Sequence, residues 1–375
     1  MLGVLLDYTG PLGGHGEPTE AGIRLAVAQV NQAGGVLGHP VSLRIADGRT
    51  EPETAIAEAE NLVSQGVHAI IGPSGSAATM AVARTVSGSE RIATVSPSAT
   101  SPELTTVSDE GFLFRTAISD SAQGDTLAKL AGRAGISHIA VAYQPDSYGL
   151  GLLRTFDESF DGQLTTLEVG SVGSYPRQLR EAARNGARAL AVFTYLGAAE
   201  TLLLEATAEG LFPQYFLADA VATGDLHLVI EPEHFGAMLG TGPGGSDPEH
   251  AGSRVVAQEM KEAFGHLPRS AALSAYDATV CLCLAAEQAR STDREAIRNA
   301  LHHVCGGDGR RIAAGSAGVL EALGAIRQGE SIDYDGAASD VDWNEAGDVT
   351  DGFVGVYRYS KDGAVLQERI RFSRP

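Results

Sequence analysis

The chain has 375 residues and a formal net charge of −20, with 43% hydrophobic and 20% charged residues. This length exceeds what one ordinary hydrophobic core serves, so we expect two domains, and the composition is that of a folded protein. The negative charge argues against nucleic acid or an anionic membrane as partner, because both bind cationic surfaces. No segment approaches the roughly 20 apolar residues of a membrane span.

Strands and helices alternate along most of the chain. In the first series we predict strands at residues 3–6, 41–46, 68–71 and 92–95, and helices at 19–32, 53–65 and 77–87. In the second series we predict strands at 139–142, 166–169, 189–194, 215–218 and 237–240, and helices at 121–134, 149–160, 177–185 and 198–209. Alternation with short connections predicts parallel sheets that carry helices on both faces.

The last third of the chain departs from this alternation. Helices are predicted at residues 250–265, 270–290 and 293–304, followed by strand-like segments at 341–343, 352–359 and 365–372. The run Gly240-Thr241-Gly242-Pro243-Gly244-Gly245 formally matches a dinucleotide fingerprint. Because Pro243 removes an amide and no helix follows at once, we interpret this run as a loop between domains.

Two predicted strands end abruptly in small hydroxyl residues. The segment Gly72-Pro73-Ser74-Gly75-Ser76 follows one strand, and Ser96-Pro97-Ser98-Ala99-Thr100 contains the end of the other. The carboxyl ends of parallel strands meet at the sheet edge where ligands bind. Hydroxyls at this edge can hold a small carboxylate without an arginine, although helix capping is an alternative role for them.

The three cysteines are Cys281, Cys283 and Cys305. Cys281 and Cys283 lie about 200° apart on a helix, so at most one of them can face Cys305. One disulfide with a buried thiol and three buried thiols both remain open. The neighbouring His302 and His303 diverge on a helix and no second cluster completes a site, so we expect no metal.

Blocks of sequence spread over nearly the whole chain resemble a known family. They include Asp7-Tyr8-Thr9-Gly10-Pro11-Leu12, Ile71-Gly72-Pro73, residues 96–104, Asp146-Ser147-Tyr148-Gly149 and Ala275-Tyr276-Asp277-Ala278. In order and spacing they resemble the type I periplasmic solute-binding proteins of the branched-chain amino acid, amide and urea transport group.

The resemblance implies two doubly wound parallel-sheet α/β lobes joined by three hinge crossovers. One lobe would comprise residues 1–118 and 248–332, and the other 119–247 and 333–375. It implies a monomeric extracytoplasmic subunit of an ABC importer that delivers a small carboxylate, with an amino acid as the expected ligand, to a membrane permease. Residues 3–6 already predict a strand, so a signal peptide or lipobox is expected to be missing from this chain and the protein to be periplasmic or membrane-anchored outside the cell.

The resemblance also implies roles for individual residues. The ligand carboxylate would lie on Ser76, Ser98 and Thr100, and the ammonium on Asp219, with Tyr148 closing over the ligand. His15, Tyr195 and Tyr276 would line the cleft and shape specificity. A slip of one position in this resemblance would place Ala220 where relatives have the acid. From the residues alone, a turn residue is the alternative role for Asp219, and core packing is the default for Tyr276 in its apolar helix.

Other classes of function find little support in the sequence. The segment around Ser74 and Ser76 does not fit the Gly-x-Ser-x-Gly elbow of a hydrolase, and we find no cofactor or phosphate-binding motif. We therefore expect a binding protein and not an enzyme. A two-lobed sensor that binds an amide or an amino-acid-like ligand without transport is the alternative.

Overall fold

The computed structural model describes residues 1–170, 173–222, 226–243, 250–269 and 271–373. Within these residues the chain forms two large sheets and one small sheet, all flanked by helices. The predicted two-lobed α/β class is confirmed. In the described part of the chain, no helix combines the length and the apolar character needed to cross a bilayer.

A five-stranded parallel sheet forms the centre of the first lobe, in the order β2-β1-β3-β4-β5. Its strands are β1 (Leu2–Leu6), β2 (Leu43–Asp47), β3 (Ile70–Ile71), β4 (Thr94–Ser96) and β5 (Leu113–Arg115), and its connecting helices are α1 (Gly16–Gln32), α2 (Pro52–Ser64) and α3 (Ser76–Val82). Strands β1, β3 and β4 are buried throughout, and β1 and β3 contain no polar side chain. Since β3 and β4 are neighbours, the hydroxyl-rich segments beyond them share one edge.

The second lobe is built on a seven-stranded sheet in the order β14-β13-β10-β9-β8-β6-β7. Its strands are β6 (His138–Tyr143), β7 (Gln163–Glu168), β8 (Ala189–Phe193), β9 (Tyr215–Leu217), β10 (Met238–Pro243), β13 (Asp351–Ser360) and β14 (Gly363–Ser373). Its helices are α4 (Asp120–Arg133), α5 (Ser147–Ser159), α6 (Pro176–Arg184), α7 (Leu196–Ala208) and α8 (Asp219–Ala222). Five strands are parallel, whereas β13 runs antiparallel to β10 and forms a hairpin with β14.

The chain returns to the first lobe between the two parts of the second sheet. The elements of this return are α9 (Ala251–Phe264), α10 (Ala272–Ala289), α11 (Arg294–Val304), β11 (Arg310–Ala313), α12 (Ser316–Arg327) and β12 (Ile332–Asp335). Helix α10 is buried on all sides and shares one hydrophobic core with α1 and strands β1, β3 and β4. The lobe boundaries given by the resemblance stay predictions, and one of them lies among residues 244–249, outside the described part.

Most predicted elements are confirmed, with shifts of a few residues at their ends. Two predictions were wrong. Residues 240–243 of the glycine-rich run continue strand β10 instead of forming a loop, because β13 pairs with them; Gly244 and Gly245 lie outside the described residues. Residues 341–343 form no strand, because Val341 has a φ of 59° and extended backbone needs a negative φ. Strands β5, β11 and β12 and helices α8 and α12 were missed.

All three cysteines are buried thiols. The Sγ atom of Cys281 in α10 lies 2.7 Å from the Sγ atom of Cys305 just beyond α11. Cys283 is a buried thiol at another position of the same helix. Of the two cysteines that the helical spacing allowed, Cys281 is therefore the one that faces Cys305.

A buried ion pair joins the segments that cross between the lobes. The Arg115 guanidinium at the end of β5 bonds to the Asp348 carboxylate at 2.6 Å, and the two side chains are 1% and 5% exposed. Arg115 also donates to the carbonyl of Ser101 at 2.9 Å and accepts, through its own carbonyl, the indole N–H of Trp343. The first and last crossovers are thus held together at one charged residue.

We expect the variant Asp348→Ala to lose about 3–5 kcal/mol of stability, because it leaves the Arg115 guanidinium buried without its counter-charge. The measurement is urea unfolding followed by circular dichroism. The control is Asp125→Ala, which removes an exposed partner of Lys129 and should cost less than about 1 kcal/mol. Equal losses in the two variants would contradict the assigned role of Arg115.

Candidate functional site

A cavity of about 490 Å³ lies where the loops at the carboxyl ends of the two sheets face each other. Residues of both lobes line it. The structure brings seven of the eight predicted site residues to its wall: His15, Ser76, Ser98, Thr100, Tyr148, Tyr195 and Asp219. The lobes also touch here, because Leu12 of the first lobe belongs to the same apolar cluster as Tyr148 and Tyr195 of the second.

The hydroxyl groups of Ser76, Ser98 and Thr100 differ in whether their hydrogen is available to a ligand in the cavity. The Ser76 Oγ atom accepts hydrogen bonds from the amides of Thr100 (3.3 Å) and Ser101 (3.2 Å), so its own proton is left for a ligand. The Ser98 hydroxyl donates to the carbonyl of Ser74 at 3.1 Å, and the Thr100 hydroxyl donates to the Asp120 carboxylate at 2.7 Å. Only Ser76 among the three has a donor facing the cavity without rearrangement.

Ser74 is a cavity residue that the sequence analysis did not single out as a ligand contact. Its side chain is buried and lines the cavity, and its Oγ atom has no hydrogen-bond partner among the described residues. A buried hydroxyl without a partner is uncommon, since desolvation costs it free energy. Ser74 therefore offers a second donor beside Ser76. Its position in the same hydroxyl-rich segment as Ser76 is the sequence signal that could have identified it.

The second lobe presents an acid and two aromatic rings. The Tyr148 hydroxyl donates to Asp219 Oδ1 at 2.7 Å, and the Tyr195 hydroxyl donates to Asp146 Oδ2 at 2.8 Å. The two rings stack with centroids 5.5 Å apart and planes 17° apart. Burial raises the pKa of both phenols, which keeps them protonated as donors. The acids thus hold the rings in place against the cavity.

Gln123 and Asp120 join the site from helix α4 and were missed as site residues. The Gln123 amide donates to Asp219 Oδ1 at 2.8 Å and to Asp120 Oδ1 at 3.0 Å. Both side chains are buried. The sequence pattern places them at the start of a helix but contains no sign that this helix end adjoins the cleft.

Two buried acids adjoin residues of the cavity wall without lining the cavity themselves. Burial raises the pKa of Asp7 to about 6. Burial, followed by the charge of Asp219, raises the pKa of Asp120, which bonds to Thr100, well above its usual value. Burial lowers the pKa of His15 despite the opposing charge of Asp219, so this imidazole is neutral at pH 7. Among the described residues that line the cavity, the charged side chains are Asp219, Asp362 and Arg269.

Tyr276 does not line the cleft, and that prediction was wrong. Its side chain is fully buried in the core of the first lobe. Its hydroxyl donates to Gln29 Oε1 at 2.6 Å and accepts from the amide of Gly315 at 3.1 Å. Because α10 is buried on all sides, a tyrosine there can find its polar partners inside the core.

One cluster outside this cavity has metal-ligand chemistry. The His250 imidazole lies 3.1 Å from Asp335 Oδ1, with Asp340 close by. Arg311 contacts both carboxylates, at 3.0 Å and 3.2 Å. Since the guanidinium supplies the positive charge that a metal ion would otherwise supply, we assign no metal to this cluster.

Two lobes that enclose one cavity define a ligand-binding protein of the hinged, two-domain class. Residues 1–309 match the family described as periplasmic binding protein. The chain belongs to this family.

Individual relatives agree with this assignment. The chain is 26% identical over 320 residues to Leu/Ile/Val-binding protein homolog 1 of Brucella melitensis, covering 80% of this chain and 81% of that protein. It is 26% identical over 302 residues to the leucine-, isoleucine-, valine-, threonine-, and alanine-binding protein of Pseudomonas aeruginosa, covering 78% and 79%. The branched-chain amino acid transporter substrate-binding protein of Streptococcus pneumoniae, solved with isoleucine, has the same fold, with a TM-score of 0.81 at 20% identity over 99% of both chains.

We expect Tyr276→Phe to destabilise the protein by about 1–3 kcal/mol, because Gln29 and the Gly315 amide lose a buried partner. Its effect on ligand affinity should be negligible. Chemical unfolding and calorimetric titration measure the two quantities, and Tyr148→Phe serves as the comparison because it alters the cavity wall. A loss of affinity in Tyr276→Phe at unchanged stability would contradict the core position.

Proposed function

We propose that this chain is the solute-binding subunit of an ABC importer and that it binds a small α-amino acid between its lobes. A single observation carries the proposal: hydroxyl donors of one lobe and a carboxylate acceptor of the other lobe line the same cavity. Ser74 and Ser76 belong to the first lobe, and Asp219 belongs to the second. This arrangement fits the two charges of an amino acid.

The donor and acceptor chemistry supports a zwitterion over a simple acid. Buried ions are tolerated when they are paired or hydrogen-bonded. The Ser74 and Ser76 hydroxyls would bind the ligand carboxylate, and the ligand ammonium would lie against Asp219. Asp219 Oδ1 accepts hydrogen bonds from Tyr148 and Gln123, and these two donors hold the carboxylate that would meet the ammonium.

Apolar residues that line the cavity favour a ligand with an apolar side chain. Leu12, Leu273 and Leu366 line the cavity together with the Tyr195 ring, and His15 is neutral beside them. The relatives named for leucine, isoleucine and valine agree with this choice. We therefore propose a branched-chain or similar apolar amino acid as the ligand.

The proposed mechanism is hinge closure. A ligand docks on Ser74 and Ser76 at the sheet edge of the first lobe. Rotation of the second lobe then brings Tyr148 and Asp219 over the ligand, and this shifts the equilibrium between the open and closed forms. The contact of Leu12 with the Tyr148–Tyr195 cluster exists only when the lobes are together. A membrane permease on the outer side would recognise the closed form, and the protein would work outside the cytoplasm as a monomer.

The first test is a thermal-shift screen of the purified protein with the standard amino acids, short amides, urea and benzoate. We expect leucine, isoleucine or valine to raise the melting temperature most. A ligand at 100 times its Kd should add about 2.7 kcal/mol of stability. If benzoate or urea stabilises the protein and no amino acid does, the proposed ligand class is wrong.

The second test separates the ammonium contact from the rest of the site. The variant Asp219→Asn should weaken leucine binding by about 10- to 100-fold, because a charge-assisted hydrogen bond becomes a neutral one. It should change the binding of 4-methylpentanoate, which is leucine without its amine, far less. Calorimetric titration of both ligands measures this, with Asp362→Asn at the cavity mouth as the matched control. Equal losses for the two ligands would rule out the ammonium role of Asp219.

A further inference from the structure

Two cysteines face each other inside the core of the first lobe, away from the cavity. The Sγ atom of Cys281 in α10 lies 2.7 Å from the Sγ atom of Cys305, which directly follows α11. Unbonded carbon atoms, which are smaller than sulfur, pack about 3.5–4.0 Å apart, so these two sulfur atoms are unusually close. The bond of a disulfide is about 2.05 Å long, so the sulfur atoms need to approach by less than about 1 Å to form one.

The surroundings of both residues hold the sulfur atoms in this position. Helix α10 is buried on all sides, and the side chains of Cys281 and Cys305 are buried. The Cys305 amide donates to the carbonyl of Leu301 at 3.1 Å, and the next amide, that of Gly306, donates to Asp333 Oδ1 at 2.9 Å. The backbone is thus anchored on both sides of Cys305. The pair cannot separate without disturbing α11 or β12.

Neither a metal ion nor the third cysteine accounts for the pair. In the part of the chain that the structure describes, no third histidine, cysteine or carboxylate completes a metal site with these two sulfur atoms. Cys283 is two residues further along α10, and a helix turns by about 200° over two residues, so Cys283 points away from Cys305.

We propose that Cys281 and Cys305 form a disulfide bond when the protein works outside the cytoplasm, and that Cys283 stays a thiol. The location rests on the proposed function, since disulfides persist in oxidising compartments. As the S–S bond forms, the two thiols lose two protons and two electrons. An external disulfide, either oxidised glutathione or that of a thiol–disulfide oxidoreductase, accepts them through a mixed-disulfide intermediate and becomes two thiols.

The bond forms before the core of the first lobe has closed. Burial raises the pKa of both thiols in the folded protein, whereas the species that attacks a disulfide is the thiolate. An external oxidant therefore reacts best before α10 and α11 pack together. For the same reason the completed bond is shielded from external reductants.

The bond would fasten the helix that holds the segment leading back to the second lobe. The Asp277 carboxylate, one helical turn before Cys281, accepts from the amides of Ala337 and Ala338, both at 2.7 Å. The closed loop would contain the last part of α10 and all of α11. Such a cross-link stabilises the fold because it restricts the unfolded chain.

The test is oxidative refolding of the full chain. The protein is unfolded in urea with a reductant and refolded in a mixture of oxidised and reduced glutathione. Its remaining thiols are then blocked with iodoacetamide in urea, and the chain is digested with trypsin without reduction. We expect one blocked cysteine, Cys283, and a disulfide between the peptides of residues 270–290 and 299–310. Three blocked cysteines in the wild type would overturn the inference.

Two variants identify the linked cysteine, because one peptide contains both Cys281 and Cys283. Cys283→Ala should keep the link between the peptides, and Cys281→Ala should lose it. A link through Cys283 in Cys281→Ala, together with its loss in Cys283→Ala, would show that the assigned pair is wrong.

The melting temperature gives an independent readout. A protein refolded and kept in reductant should melt about 5–10 °C lower than the oxidised protein, in the wild type and in Cys283→Ala alike. Cys281→Ala should show no such difference, and an equal difference in that variant would also overturn the inference. These readouts use no ligand, so a failed ligand screen would contradict the proposed function and leave the disulfide to be decided by the peptide map.

Discussion

The buried guanidinium of Arg115 is the interaction on which the rest of the structure depends. It bonds to Asp348 of the last crossover, to the carbonyl of Ser101 and to Thr105, while its own carbonyl holds Trp343. The amides of Thr100 and Ser101 donate to the Ser76 hydroxyl, so the proposed carboxylate site is connected to the hinge through this loop. A cation in this position is tolerated because each of its three nitrogens donates to an acceptor.

The buried acids near the cleft are held in a different way from Arg115. Whereas Arg115 is bound to Asp348, the buried acids Asp7 and Asp120 are held by amide and hydroxyl donors. Such donors offset part of the cost of burying a charge. A ligand that brings a positive charge to Asp219 would supply the counter-charge that neutral donors do not.

The sequence was sufficient to predict site residues at the ends of strands. It was not sufficient where the role of a residue depends on which elements pack against it. Ser76 and Asp219 could be predicted because strand ends and family blocks mark them. Tyr276 could not, since a helix that is apolar on all sides has no face that identifies the core. Asp120 and Gln123 were placed on a helix, but the contact of Gln123 with Asp219, 96 residues away in sequence, depends on how the elements pack. The engagement of the Thr100 hydroxyl is likewise a property of its neighbours.

Helix α5 of the second lobe touches the first lobe just after Ser101, the residue whose carbonyl accepts from Arg115. Gly151 of α5 meets Pro102 so closely that a Cβ atom on the glycine would lie 2.8 Å from the proline Cδ. The ion pair of Glu103 and Arg154 lies alongside. Any side chain larger than a hydrogen atom at position 151 would push the two surfaces apart, so the missing side chain of one glycine is what lets the lobes meet here.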